Sequence, residues 1–121
     1  MDPEKPKIYD LEERAFKFAE RVVDYVLKLP KTIPNIEYSR QLIRSSGSVG
    51  ANYIEANEGL GTKDFDLHIK ISRKEAKESG YWLRLTRPIS EQEVEKQSLI
   101  KESEEFIRIF SSIINKRKAA K

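Results

Sequence analysis

Cysteine is absent from this 121-residue chain, and histidine, methionine and tryptophan occur once each. The missing thiols exclude disulfides and thiolate metal sites. The lone His68 has no glutamate three residues before it. The chain therefore lacks the Glu-x-x-His pairs that helical di-metal proteins place on facing helices, and His68 reads as a surface or flank residue. Long apolar runs are missing too. None approaches the ~18 residues that a membrane span needs. The residues after Met1 do not form the apolar core of a secretory leader, so the expected location is the cytoplasm. No stretch alternates apolar with polar residues and no Asn-Gly pair marks a hairpin, so nothing argues for a β-sheet.

What is present is charge. Charged residues make up 36% of the chain and apolar ones 38%, the balance of a soluble, helix-rich domain. The 23 basic and 20 acidic side chains leave a formal charge of +3, and residues 116–121 carry four of the positive charges. A mildly basic chain with a basic tail is suited to nucleic acid or to acidic proteins, without being diagnostic of either.

Apolar positions recur at helical spacing in four blocks. Leu11, Ala15, Phe18, Val22, Tyr25 and Leu29 step by four and three, which predicts a helix over about residues 10–29, ended by Pro30 and Pro34. Leu42, Ser46, Val49, Tyr53 and Ala56 form the seam of a second helix, about residues 35–58, with Gly59 and Gly61 as its stop. Phe65, Ile69, Ser72, Ala76, Ser79 and Leu83 mark a third, about residues 63–86, with Thr62 as N-cap and Asp64 and Asp66 in its first turn. Before the fourth, about residues 91–117, Ser90 and Glu93 spell a capping box and Ile89 and Val94 a hydrophobic staple. Its seam is Leu99, Ser103, Phe106, Phe110 and Ile113. Short connections make sequential helices antiparallel neighbours. The expected fold is one all-α domain, residues 1–121, an antiparallel up-down-up-down four-helix bundle.

Further residues lie off these seams. On helix three, Leu67, Ile71, Trp82 and Leu85 flank the core stripe, while Lys63, Lys70, Lys74, Lys77 and Arg84 point away from it. On helix one, Phe16, Val23 and Leu27 do the flanking. These seven apolar residues either widen the core or form a subunit interface, the reading that Trp82 favours. Gly47 and Gly50 each cost about 1 kcal/mol against alanine inside a helix. They share a flank with Ile43 and Ile54, which suits close approach of another helix or of the Trp82 ring. Arg44, Ser48, Asn52 and Glu55 make a polar row expected to bond helices or subunits together, with a ligand site as the alternative.

Ser48-Val49-Gly50-Ala51-Asn52-Tyr53, followed by Glu55-Ala56, resembles the bacterial four helix bundle protein family, also known as the ribosomal RNA intervening-sequence protein family. Lys74-Glu75-Ala76, Glu78-Ser79 and Tyr81-Trp82-Leu83 match its third helix, and the run from Glu102 to Ile113 resembles its fourth. The resemblance implies a bundle that assembles with itself, typically as a homopentamer. It also implies likeness to the accessory protein of diversity-generating retroelements, which pairs with a reverse transcriptase and binds nucleic acid through a basic surface.

Candidate chemistry is sparse, and no cofactor or membrane partner is expected. Glu55/Glu58 and Glu75/Glu78 are Glu-x-x-Glu pairs on neighbouring helices, and facing carboxylates could hold Mg²⁺ for nucleotide pyrophosphate hydrolysis. Surface ion pairing accounts for them more simply. The expected function is therefore a non-enzymatic, homo-oligomeric scaffold or adaptor that contacts RNA, DNA or a reverse-transcriptase-like protein. Lys63, Lys70, Lys74, Lys77, Arg84, Lys116, Arg117 and Lys118 would provide the basic surface. Pure protein scaffolding and metal-dependent pyrophosphohydrolysis remain the alternatives.

Overall fold

The computed structural model describes residues 7–120, with side chains from Leu11 onward. Four helices follow one another: α1 (Lys7–Leu27), α2 (Ile33–Ala56), α3 (Thr62–Leu85) and α4 (Glu93–Ala119), the last preceded by one 3₁₀ turn at Ser90–Gln92. Each packs on the next, and α1 also meets α4, which closes an antiparallel up-down-up-down bundle. No helix among the described residues is long and apolar enough to cross a membrane.

The core is the set of seams. All six positions of the first seam, from Leu11 in α1 to Leu29 just beyond it, are buried, as are Leu42, Ser46, Val49, Tyr53 and Ala56 of α2. From α3, Ile69, Ser72, Ala76, Ser79 and Leu83 join them, with Phe65 half-buried. The one shift is in the last turns of α4, where Ile114 replaces Ile113 as the buried residue. A straight helix turns every 3.6 residues, so a strict 3.5 repeat drifts off the core line with length. Phe106 joins the layers, with its ring edge-on to Phe18 at 5.5 Å and stacked on Phe110 at 5.9 Å.

Small polar residues let the helices approach. Between α2 and α3, Ser72 Oγ donates to the Val49 carbonyl at 3.0 Å, and Ser79 Oγ lies 2.9 Å from Ser45 Oγ. A β-carbon on Gly50 would sit 3.2 Å from Ala15 Cβ, so this glycine serves the contact of α1 with α2. One on Gly80 would meet Ser103 Oγ at 2.8 Å, across the contact of α3 with α4. Gly47 has nothing within 4 Å.

The helix ends differ from the sequence expectation. α1 stops at Leu27, and Pro34 does not end it; Pro34 lies in the first turn of α2, behind a Thr32 N-cap whose Oγ1 accepts from Asn35 N. Proline is at home there because its missing N–H has no helical partner to lose. α3 starts at Thr62 behind Gly61, whose φ of 114° suits glycine, so Thr62 is not the cap. The capping box at Ser90 does not form: its hydroxyl donates to Glu91 Oε1 at 2.8 Å and α4 begins only at Glu93. Val94 is 81% exposed, so it staples nothing.

At this end of the bundle the two connections are tied together. Buried Asn35 donates through Nδ2 to the carbonyls of Pro30 and Arg87 and accepts from Arg87 N at 2.8 Å. Buried Tyr25 and Thr86 share a 2.7 Å hydroxyl contact. Burial pushes the Tyr25 phenol up, against the opposing pull of its Thr86 hydrogen bond, and burial likewise raises Tyr53. A raised phenol keeps its proton in the folded state after the unfolded chain has lost it. Stability is therefore fully present below about pH 10 and is lost as pH rises above it. Thermal melts from pH 8 to 11 should show this alkaline limb, and Tyr53→Phe should flatten it. At neutral pH, Ser72→Leu should overfill the contact of α2 with α3, costing about 1–3 kcal/mol and lowering Tm by roughly 5–10 °C.

Candidate functional site

The polar row ties α2 to α3. Arg44 reaches across the groove, with Nη1 3.3 Å from Glu75 Oε1 and Nη2 3.0 Å from Glu78 Oε1. Glu75 is almost enclosed, its side chain only 8% exposed, while Arg44 is half in solvent. Eight residues on, Asn52 donates to the Ser48 carbonyl at 2.9 Å, which fixes its carboxamide so that Oδ1 faces His68 Nδ1 at 3.1 Å. The other ring nitrogen of His68 lies 3.4 Å from Asp64 Oδ1. His68 is thus a half-buried link between helices, a role that required the fold to bring Asn52 beside it. Ser48 contributes its backbone and Glu55 is exposed. A guanidinium occupies the space between Glu75 and Glu78, and the described residues hold no cluster of three or more metal-ligating side chains.

The flanking apolar residues divide between two faces. Phe16, Val23 and Leu27 lie on the flank of α1 next to α2, and Phe16 and Leu27 are 58% and 68% exposed. Gly50 against Ala15 brings the α2 stripe Ile36, Ile43, Gly47, Gly50 and Ile54 onto the same side, with the three isoleucines exposed. Val26, Ile36 and Ile43 line an open groove of about 180 Å³ there. The isoleucines widen this face beyond the seven residues read from the sequence, although their spacing with the glycines was visible. Leu67, Ile71 and Leu85 lie instead on the α2 side of α3, with Leu67 exposed and the others half-buried. Trp82 fills the groove of α2 with α3, stacked on Tyr38 at 6.1 Å and edge-on to Tyr81 at 5.0 Å.

The basic residues gather on the opposite side, along α3 and α4. Asp66, Arg73 and Gly80 mark the edge of α3 that meets α4, through Arg117, Ser111 and Ser103. Just outside that edge run Lys63, Lys70, Lys77 and Arg84, seven residues apart and so about 10 Å apart along the axis. Lys74 projects beside them. All five are exposed, and no ion pair among the described residues neutralises them. Along α4 lie Lys96 and exposed Lys101, to which the sequence reading assigned no role, and exposed Lys118, which it had already placed on the basic surface. Lys96 Nζ donates to the carbonyls of Thr86 and Arg84, at 2.9 and 3.3 Å, and so is held at the negative end of α3. Lys116 is exposed; Arg117 binds Asp66 at 2.9 Å and stacks over Phe65, an intramolecular clamp. Lys121 lies outside the described residues.

If Arg44 stabilises the bundle by neutralising Glu75, Arg44→Met should cost about 2 kcal/mol, since the enclosed carboxylate loses its cation. Adding Glu75→Gln should restore part of that loss. An unchanged denaturation midpoint for the single variant would show that the ion pair contributes nothing.

Comparison with known proteins places this geometry. A family model described as 23S rRNA-intervening sequence protein matches residues 8–112. A solved structure from Bacteroides thetaiotaomicron VPI-5482, described as a protein of unknown function from the S23 ribosomal protein family, is similar at a TM-score of 0.73 and 29% identity. The match covers 91% of this chain and 99% of that one. No curated protein matches the chain.

Proposed function

The chain belongs to the 23S rRNA-intervening sequence protein family, and from that premise we propose that it works without turnover, as a homo-oligomeric scaffold that holds nucleic acid on its α3–α4 face. The observation that carries this reading is the separation of surfaces. Lys63, Lys70, Lys77 and Arg84 form an unneutralised row on one side of the bundle. The exposed apolar stripe of Phe16, Val23, Leu27, Ile43 and Ile54 lies on the other. Copies joined through the apolar side leave every basic row facing outward, and repetition sums their potential.

The homopentamer is the assembly that the family resemblance implies. Gly47 supports a close contact on the apolar side. It costs about 1 kcal/mol in a helix interior, yet among the described residues no packed neighbour lies within 4 Å of where its β-carbon would be. A backbone approaching from another subunit would use it. Binding to phosphate backbones would be largely sequence-blind and steeply dependent on salt, because each contacted phosphate releases counterions. A nucleic-acid-processing protein such as a reverse transcriptase would then meet its substrate on the scaffold.

Fluorescence anisotropy with labelled duplex RNA and DNA over a salt series tests the basic face. The wild type should bind, and the triple variant Lys70→Glu, Lys77→Glu, Arg84→Glu should lose binding and flatten the salt slope by about 2–3. No binding by the wild type at low salt would sink the reading. Sedimentation of Gly47→Leu and Ile43→Asp tests the apolar face: both should yield folded, smaller species, whereas an unchanged sedimentation coefficient would remove this face from the assembly.

A further inference from the structure

The α3–α4 groove is not uniformly basic. Near the C-terminus of α3 it deepens into an open depression of about 380 Å³ lined by Arg84, Lys96, Gln97, Ile100 and Glu104. We propose that this depression seats one unpaired guanine nucleotide, with its phosphate between Arg84 and Lys96 and its base edge on Glu104 and Gln97. The inference rests on the nucleic-acid reading of the basic face and sharpens it from sequence-blind contact to recognition of one base.

Among the residues that line the depression, Glu104 is the one carboxylate. On a surface built only to hold phosphates, an acidic side chain repels the ligand. Nearby acids have other partners: Asp66 pairs with Arg117, Glu105 with Arg108 at 3.0 Å, and Glu93 accepts an N–H of Gln97. Glu104 is exposed in the depression, and no ion pair among the described residues engages it. A carboxylate is acceptor-only, with two oxygens side by side. Its natural counterpart on a nucleobase is a pair of adjacent donors.

Guanine alone has that pair on its Watson–Crick edge, N1–H beside the N2 amino group. Adenine and cytosine set one amino group beside a ring acceptor, which a carboxylate repels. Uracil sets one N–H between two carbonyl oxygens. Next to N1, guanine O6 needs a donor, and Gln97 supplies a carboxamide, one of whose N–H groups is already engaged by Glu93 at 3.3 Å. Half-buried Ile100 offers an apolar surface on which the base can lie.

The phosphate end is equally defined. Lys96 Nζ uses two of its three N–H bonds on the carbonyls of Arg84 and Thr86, which hold it in place and leave the third. The exposed Arg84 guanidinium has no acidic partner among the described residues and can add a forked contact. Glu104 lies eight residues beyond Lys96 on α4, about 12 Å along the axis, which separates the phosphate from the N1 and N2 donors that face Glu104. Reading a base through that edge requires that it be unpaired, which selects a single strand or a loop.

Labelled decauridine RNA carrying one central guanosine or one central adenosine provides the first test. The guanosine oligomer should bind about tenfold tighter at equal salt. Glu104→Gln should abolish the difference, while Arg84→Ala should weaken both oligomers alike. Equal binding of the two by wild type, or a preference that survives Glu104→Gln, overturns the proposal. NMR titration with GMP and AMP separates this site from the basic row as a whole. Amide shifts at Gln97, Ile100 and Glu104 with GMP and not with AMP sustain the guanine seat even if the triple charge-reversal variant and wild type bind duplexes equally. Equal or absent shifts remove it, whether or not the row binds.

Discussion

The separation of α2 from α3 is set by side chains no larger than serine. Where Ser72 Oγ reaches the Val49 carbonyl at 3.0 Å, a hydroxyl replaces the methyl groups that would otherwise hold two helices apart. A hydroxyl on a helix can satisfy itself by bonding back to a carbonyl one turn earlier, as Ser45, Ser46 and Ser103 do with Leu42, Ile43 and Ile100. These serines are buried without leaving an unpaired donor, so small size carries little of the usual penalty for burying a polar group. The close approach has consequences along the whole groove. It puts Arg44 within reach of both Glu75 and Glu78, sets Asn52 against His68, and leaves at one end a slot that the Trp82 ring fills against Tyr38.

With the α2–α3 contact spent on small groups, the large apolar side chains are distributed elsewhere. Aromatic rings from α1, α2 and α4 fill the centre, where Phe18, Phe106, Phe110 and Tyr53 touch in that order. The remaining isoleucines of α2 turn outward toward α1, and they make the apolar face with Phe16, Val23 and Leu27. Charge follows the complementary rule. The α1–α4 seam is closed by forked pairs, Arg14 on Glu102 at 2.7 Å and Arg21 on Glu95, so its cations are used internally. Hydrogen bonding to Glu102 is the main reason that the Arg14 guanidinium is held above its ordinary basicity. The α3–α4 seam has few such pairs, and no ion pair among the described residues engages Lys63, Lys70 or Lys77. Proposed function thus sits where internal neutralisation stops.

The seams were legible because periodicity encodes burial directly: a residue on the core line of one helix is in the core whatever its neighbours do. That covered twenty buried positions from Leu11 to Phe110, including Ser46, Ser72, Ser79 and Ser103, which composition alone would place outside. What failed was local chemistry with a competing partner. Ser90 matched a capping box, but Glu91 takes its hydroxyl. Thr62 matched an N-cap, but Gly61 reaches a backbone geometry that threonine does not. Trp82 read as an exposed flank because a single helical wheel cannot show Tyr38 on the next helix. The basic face was half legible: the α3 row follows from one helix, whereas Lys96 joins it only when α4 is laid alongside. Asn35 had no sequence signal at all, since its partner Arg87 is 52 residues away.

The two helical glycines of α2 show how a contact map separates internal from external causes. Both carry the same cost, about 1 kcal/mol of lost helix propensity. Gly50 recovers it within the chain, because α1 comes so near that any side chain would press on Ala15. Gly47, three residues earlier on the same flank, faces open space between Ile43 and Ile54. A bare position amid exposed isoleucines has no use in a monomer: alanine would stabilise the helix and cover more apolar surface. It has a use when a second backbone must lie against α2, because removing the β-carbon lowers the distance of closest approach while the isoleucines on either side pack around the incoming helix. In the proposed assembly, the missing β-carbon of Gly47 would give that room, on the face that the basic row leaves clear.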